Sequence, residues 1–551
     1  MHATSLSSFM ALAFAALTVT STAQEHEHPA PSAEQLGTVT FETSCNAEFQ
    51  APFNRAVALL HSFSFGPAIE AFEAVGRTDP SCGMAFWGIA LAAWGNPFEV
   101  GKKADARIHR GREAIEHARA AGTRTARERA YIEAVAELSR DVEQRDQRTR
   151  VLAYRDAMAS ITSSHPDDME ASIFYALALA QSAPPTDKSY ADLLKAGAIL
   201  EPLFAAHPDH PGLAHYIIHS YDVPSLAARA LDAARRYARI APSAPHALHM
   251  PSHTFTRLGH WQESIDTNIA SALAAKREGA GAEELHATDY QVYAYLQSGQ
   301  DAAAKQLLDS LPEKASRFDP DAIVAAAPGV AGVFALAAIP ARWALERGAW
   351  TEAAKLEPHP SRFPHTDAMT HFARALGATR VGDSATARAA IEALNANRSR
   401  LEAAGESYWA GQVEIQARSA TAWLALTEGR TAEALATMRE AADQEDGSEK
   451  SAITPGPLAP ARELLGEMLL QLHEPAAALR EFAATLEKEP GRFRALAGAA
   501  RAAAESGDRT AATRYYERLL ENCEHADQPG RPELVEARRL ARAAALFLPP
   551  R

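Results

Sequence analysis

The sequence predicts an all-α protein built from tandem helix-turn-helix hairpins, and two observations support this fold class. Alanine is used heavily among the 551 residues, while Gly (30) and Pro (32) are close to average, which favours helices over strands. A turn-and-helix pattern also recurs along most of the chain. Apolar residues make up 47% of the chain, so it can bury a core, and its length suits several domains or one long repeat array.

The chain begins with a predicted secretory signal peptide, residues 1–23. An apolar run over residues 9–20 is too short to span a bilayer, and the small residues Ser21 and Ala23 suit cleavage after Ala23. We therefore expect a periplasmic or secreted protein with no membrane span, since no later stretch reads as a membrane helix. Residues 24–44 are expected to be a disordered N-terminal segment.

Three cysteines fit an oxidising compartment. Cys45 and Cys82 bracket the first predicted hairpin, and a disulfide between them would close a loop worth about 3–4 kcal/mol in the chain-entropy model. The alternative is a pair of buried free thiols. Cys523 is left as the odd cysteine.

The recurring pattern predicts the hairpins. The full pattern has a glycine-like turn residue, an aromatic two residues later, Ala or Ser five later and a bulky residue nine later, and looser copies keep only part of it. Gly259, Trp261, Ser264 and Asn268 form one copy, and others begin at Phe63, Gly348, Gly382, Gly429, His473 and Gly507. These residues resemble the tetratricopeptide repeat over most of residues 49–525. The resemblance implies helical hairpins of about 34 residues that stack into a right-handed superhelix.

Irregular stretches divide the predicted array. We expect an N-terminal array with a histidine-rich groove over residues 45–310 and further hairpins over 311–442. A linker is predicted at 443–460, where Gly and Pro are concentrated, and C-terminal hairpins at 461–551.

The 21 histidines include a cluster with a clear spacing. His215 and His219 are four residues apart, as are His249 and His253, so each pair shares one face of a helix. The two pairs lie 34 residues apart, which is one repeat. His246 precedes His249 by three residues and joins the same face.

The next repeat carries on the pattern. His286 lies thirteen residues before its turn glycine, as His246 does, and Asp289 takes the place of His249. In the repeat family these places line the concave groove. The resemblance therefore implies that one cavity receives the following side chains: His215, His219, His246, His249, His253, His286 and Asp289.

Clustered imidazoles suit a transition-metal site. Neutral imidazole is a common metal ligand, and an all-nitrogen set favours copper or zinc, with iron possible, over Mg or Ca. Four to six rings could hold one ion or two. Asp222 and Asp289 could act as ligands or orient a ring through its other nitrogen. We expect no organic cofactor, and a chemical reaction, if there is one, would be carried by the metal.

Other interpretations remain open. Isolated HxxxH pairs are often coincidental, and the groove of a metal-free scaffold could instead bind a peptide or partner protein. His365, Asp367 and His371 form a weaker candidate ligand set outside the groove register. Nucleotide-binding, hydrolase-elbow and zinc-protease motifs are absent from the sequence. The net charge of −14 argues against nucleic acid as a partner.

Overall fold

The computed structural model describes residues 34–322 and 324–545. The described residues from Gln35 onwards form one compact unit. The predicted signal peptide and residues 24–33 lie outside the described residues.

The described residues are helical or irregular and contain no strand. This confirms the predicted all-α class. The α-helices are α1 (Gln50–His61), α2 (Phe65–Thr78), α3 (Gly83–Trp94), α4 (Asp105–Ala121), α5 (Ala126–Ala136), α6 (Gln147–Ser164), α7 (Met169–Ser182), α8 (Ala191–Ala206), α9 (Pro211–Ser220), α10 (Leu231–Ile240), α11 (Pro245–His249), α12 (Pro251–Leu258), α13 (Trp261–Arg277), α14 (Gly281–Gln297), α15 (Asp301–Ser316), α16 (Gly329–Glu346), α17 (Trp350–Ala353), α18 (Pro364–Arg380), α19 (Ser384–Ala404), α20 (Ser407–Thr427), α21 (Thr431–Asp446), α22 (Ala461–Gln471), α23 (Pro475–Lys488), α24 (Phe493–Glu505), α25 (Arg509–Asn522) and α26 (Pro532–Ala545).

The helices form two layers of a solenoid. The first helices of successive hairpins stack on one another in an inner layer, and each second helix packs outside them. The inner helix α9 buries all ten of its residues. The outer helix α23 buries only Ala478, Phe482, Thr485 and Leu486 along one face. Helix α9 is therefore covered on all sides, so polar residues on it need partners inside the protein.

Small and bulky residues of the repeat interlock as the pattern predicts. A Cβ built on Gly498 would lie 2.4 Å from the ring of Phe482, and one on Gly466 would lie 2.9 Å from it. A Cβ built on Gly88 would likewise lie 2.4 Å from the ring of Phe72. A side chain at these glycines would force the helices apart, because interiors are close-packed.

The region before the first helix corrects one expectation. Residues 35–44 are ordered, so the predicted disordered segment 24–44 extends too far. Phe41 is fully buried, with its ring centroid 5.3 Å from that of Trp87 and 5.8 Å from that of Phe53. The apolar surface that this aromatic contact buries holds the segment in place. Cys45 and Cys82 form a disulfide beside it, and Cys523 is free and buried.

The predicted linker 443–460 also needs correction. Helix α21 continues to Asp446, and the irregular residues that follow pack into the solenoid. The guanidinium of Arg342 donates to the Thr454 hydroxyl at 2.9 Å and to the Gly456 carbonyl at 3.0 Å. Residues 447–460 join α21 to α22 and pack against the inner helices, and we call them the groove segment.

We expected no stretch after the signal peptide to have the length and composition of a membrane helix, but helix α16 has both. Among the described residues it is the one helix long and apolar enough to cross a bilayer, but 72% of it is buried inside the protein. Its Arg342 pairs with Asp289, and its Glu346 pairs with Arg492. Those buried ion pairs are what a core helix of the solenoid requires.

Candidate metal centre

Six histidine rings lie side by side in the inner layer. Helix α9 supplies His215 and His219, and the rings of its neighbours α11, α12 and α14 face them. Helices α11 and α12 are joined through Met250 in helical conformation, so the four-residue spacing of His249 and His253 is kept. Centroids of neighbouring rings lie 4.5–6.5 Å apart in the cluster, which contains His215, His219, His246, His249, His253 and His286.

The six rings form two groups of three. Within each group, one nitrogen per ring lies within 4.8 Å of the others. The first group is His215, His219 and His246, and the second is His249, His253 and His286. The groups adjoin, since the ring centroids of His246 and His249 are 5.9 Å apart. Sequence spacing pointed to His215, His219, His249 and His253 as one set, whereas the structure divides them between two.

Hydrogen bonds behind the rings fix which nitrogen points into the cavity. His215 donates from Nδ1 to the carbonyl of His61 at 2.6 Å. Nδ1 of His249 faces Oδ1 of Asn268 at 2.7 Å, and Nδ2 of the same amide donates to the Ser264 carbonyl. The amide is thereby oriented with its oxygen towards His249. Both rings therefore carry their proton on Nδ1 and present a lone pair on Nε2.

Two carboxylates orient two further rings. Nδ1 of His246 lies 3.0 Å from Glu283, and Nδ1 of His253 lies 2.9 Å from Asp222. Asp222 also accepts from Arg257 at 2.9 Å. Asp222, one of the predicted site residues, thus lies behind the ring of His253. Its role in this arrangement is to orient that ring.

Four of the six rings have a buried nitrogen without a partner in the described part of the chain, and the Tyr290 hydroxyl lies 3.4 Å from Nε2 of His253. Among the described residues, Nε2 of His215, His219 and His246 and Nδ1 of His286 are buried without a hydrogen bond. Nε2 of His249 lies 3.1 Å from Nε2 of His253. Since both of these rings hold their proton on Nδ1, two lone pairs face each other across that gap.

Burial keeps the imidazoles neutral. It lowers the pKa of His249 to about 3, and the neighbouring His253 adds to that effect. Burial likewise holds the pKa values of His215, His219, His246 and His286 well below their usual range. Neutral imidazole is the form that binds metal ions, so the rings are ready to act as ligands at neutral pH.

Irregular segments cover the rings. The His219 ring stacks on Phe98, with centroids 3.9 Å apart, and Tyr290 donates from its hydroxyl to the carbonyls of Ala452 and Thr454 in the groove segment, both at 3.2 Å. The cavity has a volume of about 30 Å³, and His219, His246, His253 and His286 line it. Apart from the imidazoles, its wall is largely apolar and includes Phe98, Val100, Met250, Ala331, Trp409 and Ile453.

Asp289 does not join the histidines, which corrects its predicted place in the ligand set. Its carboxylate is held by the guanidinium of Arg342, with Nε of the arginine 2.8 Å from Oδ1. Arg342 stands one repeat further on, at the place that His253 occupies in its own repeat. A buried carboxylate paired with an always-charged guanidinium is not free to bind a metal ion.

A third group of buried titratable residues lies beside the first. Glu170 faces Nε2 of His61 at 2.9 Å and Nε2 of His210 at 3.1 Å, and the Tyr216 hydroxyl lies 2.9 Å from Nδ1 of His61. Burial alone would raise the pKa of Glu170, but the two imidazoles lower it to about 2. We call His61, Glu170, His210 and Tyr216 the Glu170 network.

The remaining histidine candidates lie elsewhere. His365 stacks on Trp409, with ring centroids 4.1 Å apart, at the beginning of helix α18. It belongs to neither histidine group. Sequence reasoning missed Glu283 and Asn268 as partners of the rings. Asn268 did carry a signal, since it is an amide at a place where the repeat pattern has a bulky side chain.

Comparison with known proteins adds little. No protein-family model matches the chain, and no curated protein matches it. The solved structure of a human IFIT1 dimer with PPP-AAAA is 12% identical, with a TM-score of 0.38, and the match covers 87% of this chain and 96% of that one. A structure of Naa15/Naa10 bound to HypK-THB is 13% identical, with a TM-score of 0.24, and covers 85% and 70%. Scores this low support no argument about function.

Proposed function

We propose that this protein binds two transition-metal ions in the histidine cavity, one in each group of three imidazoles, and that copper is the metal it suits best. One contact supports this most strongly, the 3.1 Å approach of the two Nε2 atoms of His249 and His253. Two lone pairs at that distance repel each other, and a shared cation would remove the repulsion. Ligand nitrogens about 2.0–2.1 Å from a tetrahedral ion lie roughly 3.4 Å apart, which is close to this separation.

The ligand set favours copper. All six inward-facing ligands are neutral imidazoles, and the carboxylates Asp222 and Glu283 lie behind the rings. Glu99, a carboxylate in the cavity wall, is already paired with Lys103 and Arg107, so it does little to offset the repulsion between two neighbouring ions. That repulsion is fourfold smaller between two Cu⁺ ions than between two divalent ions at the same distance. Zinc and iron are the next candidates, because imidazole suits them as well.

The number of ligands suggests a use for the ions. Three protein ligands leave an open position on each ion, as in catalytic metal sites. Two adjacent ions with open positions can together exchange two electrons with a small molecule such as dioxygen. The proposed function is therefore redox chemistry at a pair of copper ions.

The alternative of a metal-free scaffold with a peptide in its groove has less support. The groove segment already occupies that position, and Arg342 and Tyr290 hold it there. A peptide would have to displace these hydrogen bonds before it could bind.

We also propose that the protein acts in the periplasm or outside the cell. The predicted signal peptide supports this, and the Cys45–Cys82 disulfide fits an oxidising compartment.

Metal content per chain tests the proposed function. We expect two copper ions per chain after anaerobic loading with Cu⁺ and removal of the excess. The double variants His215→Ala/His219→Ala and His249→Ala/His253→Ala should each retain one ion. His109→Ala is the matched control, because its side chain is 73% exposed on helix α4, and it should retain two. A content below one ion in the parent protein, or a content that neither double variant lowers, would refute the proposal.

A further inference from the structure

A wide cleft adjoins the histidine cavity and reaches the surface. It has a volume of about 460 Å³ and shares Phe98, His219, Ser451 and Ala452 with the cavity wall. Exposed residues such as Pro185 lie at its outer end. A small molecule could therefore approach the first histidine group by this route.

Aromatic side chains line much of the cleft. Trp94, Phe98, Tyr190 and Tyr408 all contribute to its wall. Flat apolar surfaces of this kind favour a ligand with an aromatic body, which packs against them by stacked or edge-on contacts.

Most of the charges in the cleft are already paired. Glu99 accepts from Lys103 at 2.7 Å and from Arg107 at 3.1 Å. Glu449 accepts from Lys188 at 2.7 Å, and the hydroxyl of Tyr190 donates to the same oxygen. These groups therefore leave little unbalanced charge for a ligand to meet.

Lys450 is different. Its side chain is only 9% exposed, and its ammonium has no hydrogen-bond partner among the described residues. The nearest carboxylate oxygen is Oδ2 of Asp222, at 3.6 Å, and Asp222 is already engaged by Arg257 and His253. A buried ammonium needs an acceptor, and the flexible four-carbon stem of lysine can turn the ammonium into the cleft that it lines.

We propose that the cleft binds an organic carboxylate with an aromatic body. The carboxylate pairs with the ammonium of Lys450, and the aromatic body lies along the wall towards Phe98 and His219. The inference rests on the proposed function for the role of this ligand, which is the substrate presented to the metal ions. Binding of the carboxylate itself does not require metal.

Calorimetry on the chelator-treated full chain at pH 7 tests the proposal. The probes are benzoate, phenylacetate and 3-phenylpropanoate, each compared with its neutral amide. We expect at least one carboxylate to bind tenfold or more tightly than its amide. Lys450→Met should abolish that preference, and Lys450→Arg should restore much of it. Lys305→Met is the control, because Lys305 is exposed and pairs with Asp309, and it should bind as the parent does.

Three results would overturn the inference: equal binding of carboxylate and amide, undiminished binding by Lys450→Met, or no binding of any probe. Copper content is measured on the same samples, and it should stay at two ions per chain in Lys450→Met. Carboxylate binding without copper binding would refute the proposed function and leave the ligand site in place. Copper binding without carboxylate binding would refute the ligand site and leave the proposed function in place.

Discussion

The histidine cavity and the Glu170 network are neighbours built from the same kinds of residue, but they use them differently. In the network, Glu170 accepts from His61 and His210, and Tyr216 completes the contacts of His61. In the cavity, the carboxylates lie behind the rings, and among the described residues His215, His219, His246 and His286 each have one buried nitrogen without a hydrogen bond. Burial of histidine therefore does not by itself indicate a metal site. Nδ1 of His210 in the network is also buried without a hydrogen bond from any described residue. What distinguishes the two regions is the place of the carboxylate, which lies between two rings in the network and behind the rings in the cavity.

The largest expected effect is that of metal removal, which should destabilise the protein through the histidine cavity and not through the Glu170 network. A ligand present at 1,000 times its dissociation constant stabilises a folded protein by about 4 kcal/mol. We expect chelation to lower the unfolding midpoint of the parent protein by that order. In His249→Ala/His253→Ala the shift on chelation should be clearly smaller, because one ion is already missing. Thermal unfolding with and without chelator measures this, and equal shifts in the two proteins would contradict the assignment.

Replacement of Glu170 should affect stability but not metal content. The pKa of Glu170 is about 2 in the folded protein and about 4.5 in the unfolded chain, so its ionised form stabilises the fold above pH 4.5. That contribution is lost as pH falls from 4.5 towards 2. We expect Glu170→Gln to be less stable than the parent by up to about 3 kcal/mol at pH 6, and by much less near pH 3.

Urea unfolding at the two pH values measures this difference, with copper content determined in parallel. A deficit independent of pH would show that Glu170 acts through packing alone. Loss of an ion from Glu170→Gln would place a metal in the network and would erase the contrast between the two regions.

Replacement of Asn268 should lower the metal affinity, although Asn268 contacts the ring of His249 and is not itself a proposed ligand. Its side-chain oxygen holds the Nδ1 proton of His249, and loss of such a partner typically costs 10–100-fold in metal affinity. We expect that loss in Asn268→Leu, measured by competition with a copper chelator. Asn397→Leu is a comparison variant, since Asn397 is a buried asparagine in the outer helix α19. It should retain the parent's affinity, and an equal effect in both variants would contradict the orienting role.

The smallest effect is expected at Tyr290. Its hydroxyl ties the groove segment to helix α14 through the carbonyls of Ala452 and Thr454. Tyr290→Phe should cost about 1 kcal/mol of stability and increase hydrogen exchange in residues 447–460. Exchange that stays unchanged there would show that the segment is held by its other contacts, those of Arg342 and Glu449 among them.

The sequence could predict the helical hairpins and the histidine cluster because both depend on local spacing. Four-residue steps place His215 and His219 on one face, and the 34-residue repeat brings the next pair beside them. Asp289 could not be assigned in this way. It has the right place in its repeat, but its partner Arg342 lies 53 residues further along the chain, and only the packed structure reveals the ion pair.

Two further features depended on tertiary contacts. The Gly and Pro residues of the groove segment are typical of a linker, and they carry no information about the hydrogen bonds that Arg342 and Tyr290 make with it. His61 and Glu170 stand alone in their helices without a recognisable spacing. Their network forms from residues more than a hundred positions apart, so no local pattern could indicate it.

Crystals grown with copper and measured at the copper absorption edge test the central claim most directly. The account predicts two anomalous peaks per chain, one among His215, His219 and His246 and the other among His249, His253 and His286. An empty cavity, or a peak at Glu170 in place of the two, would contradict it.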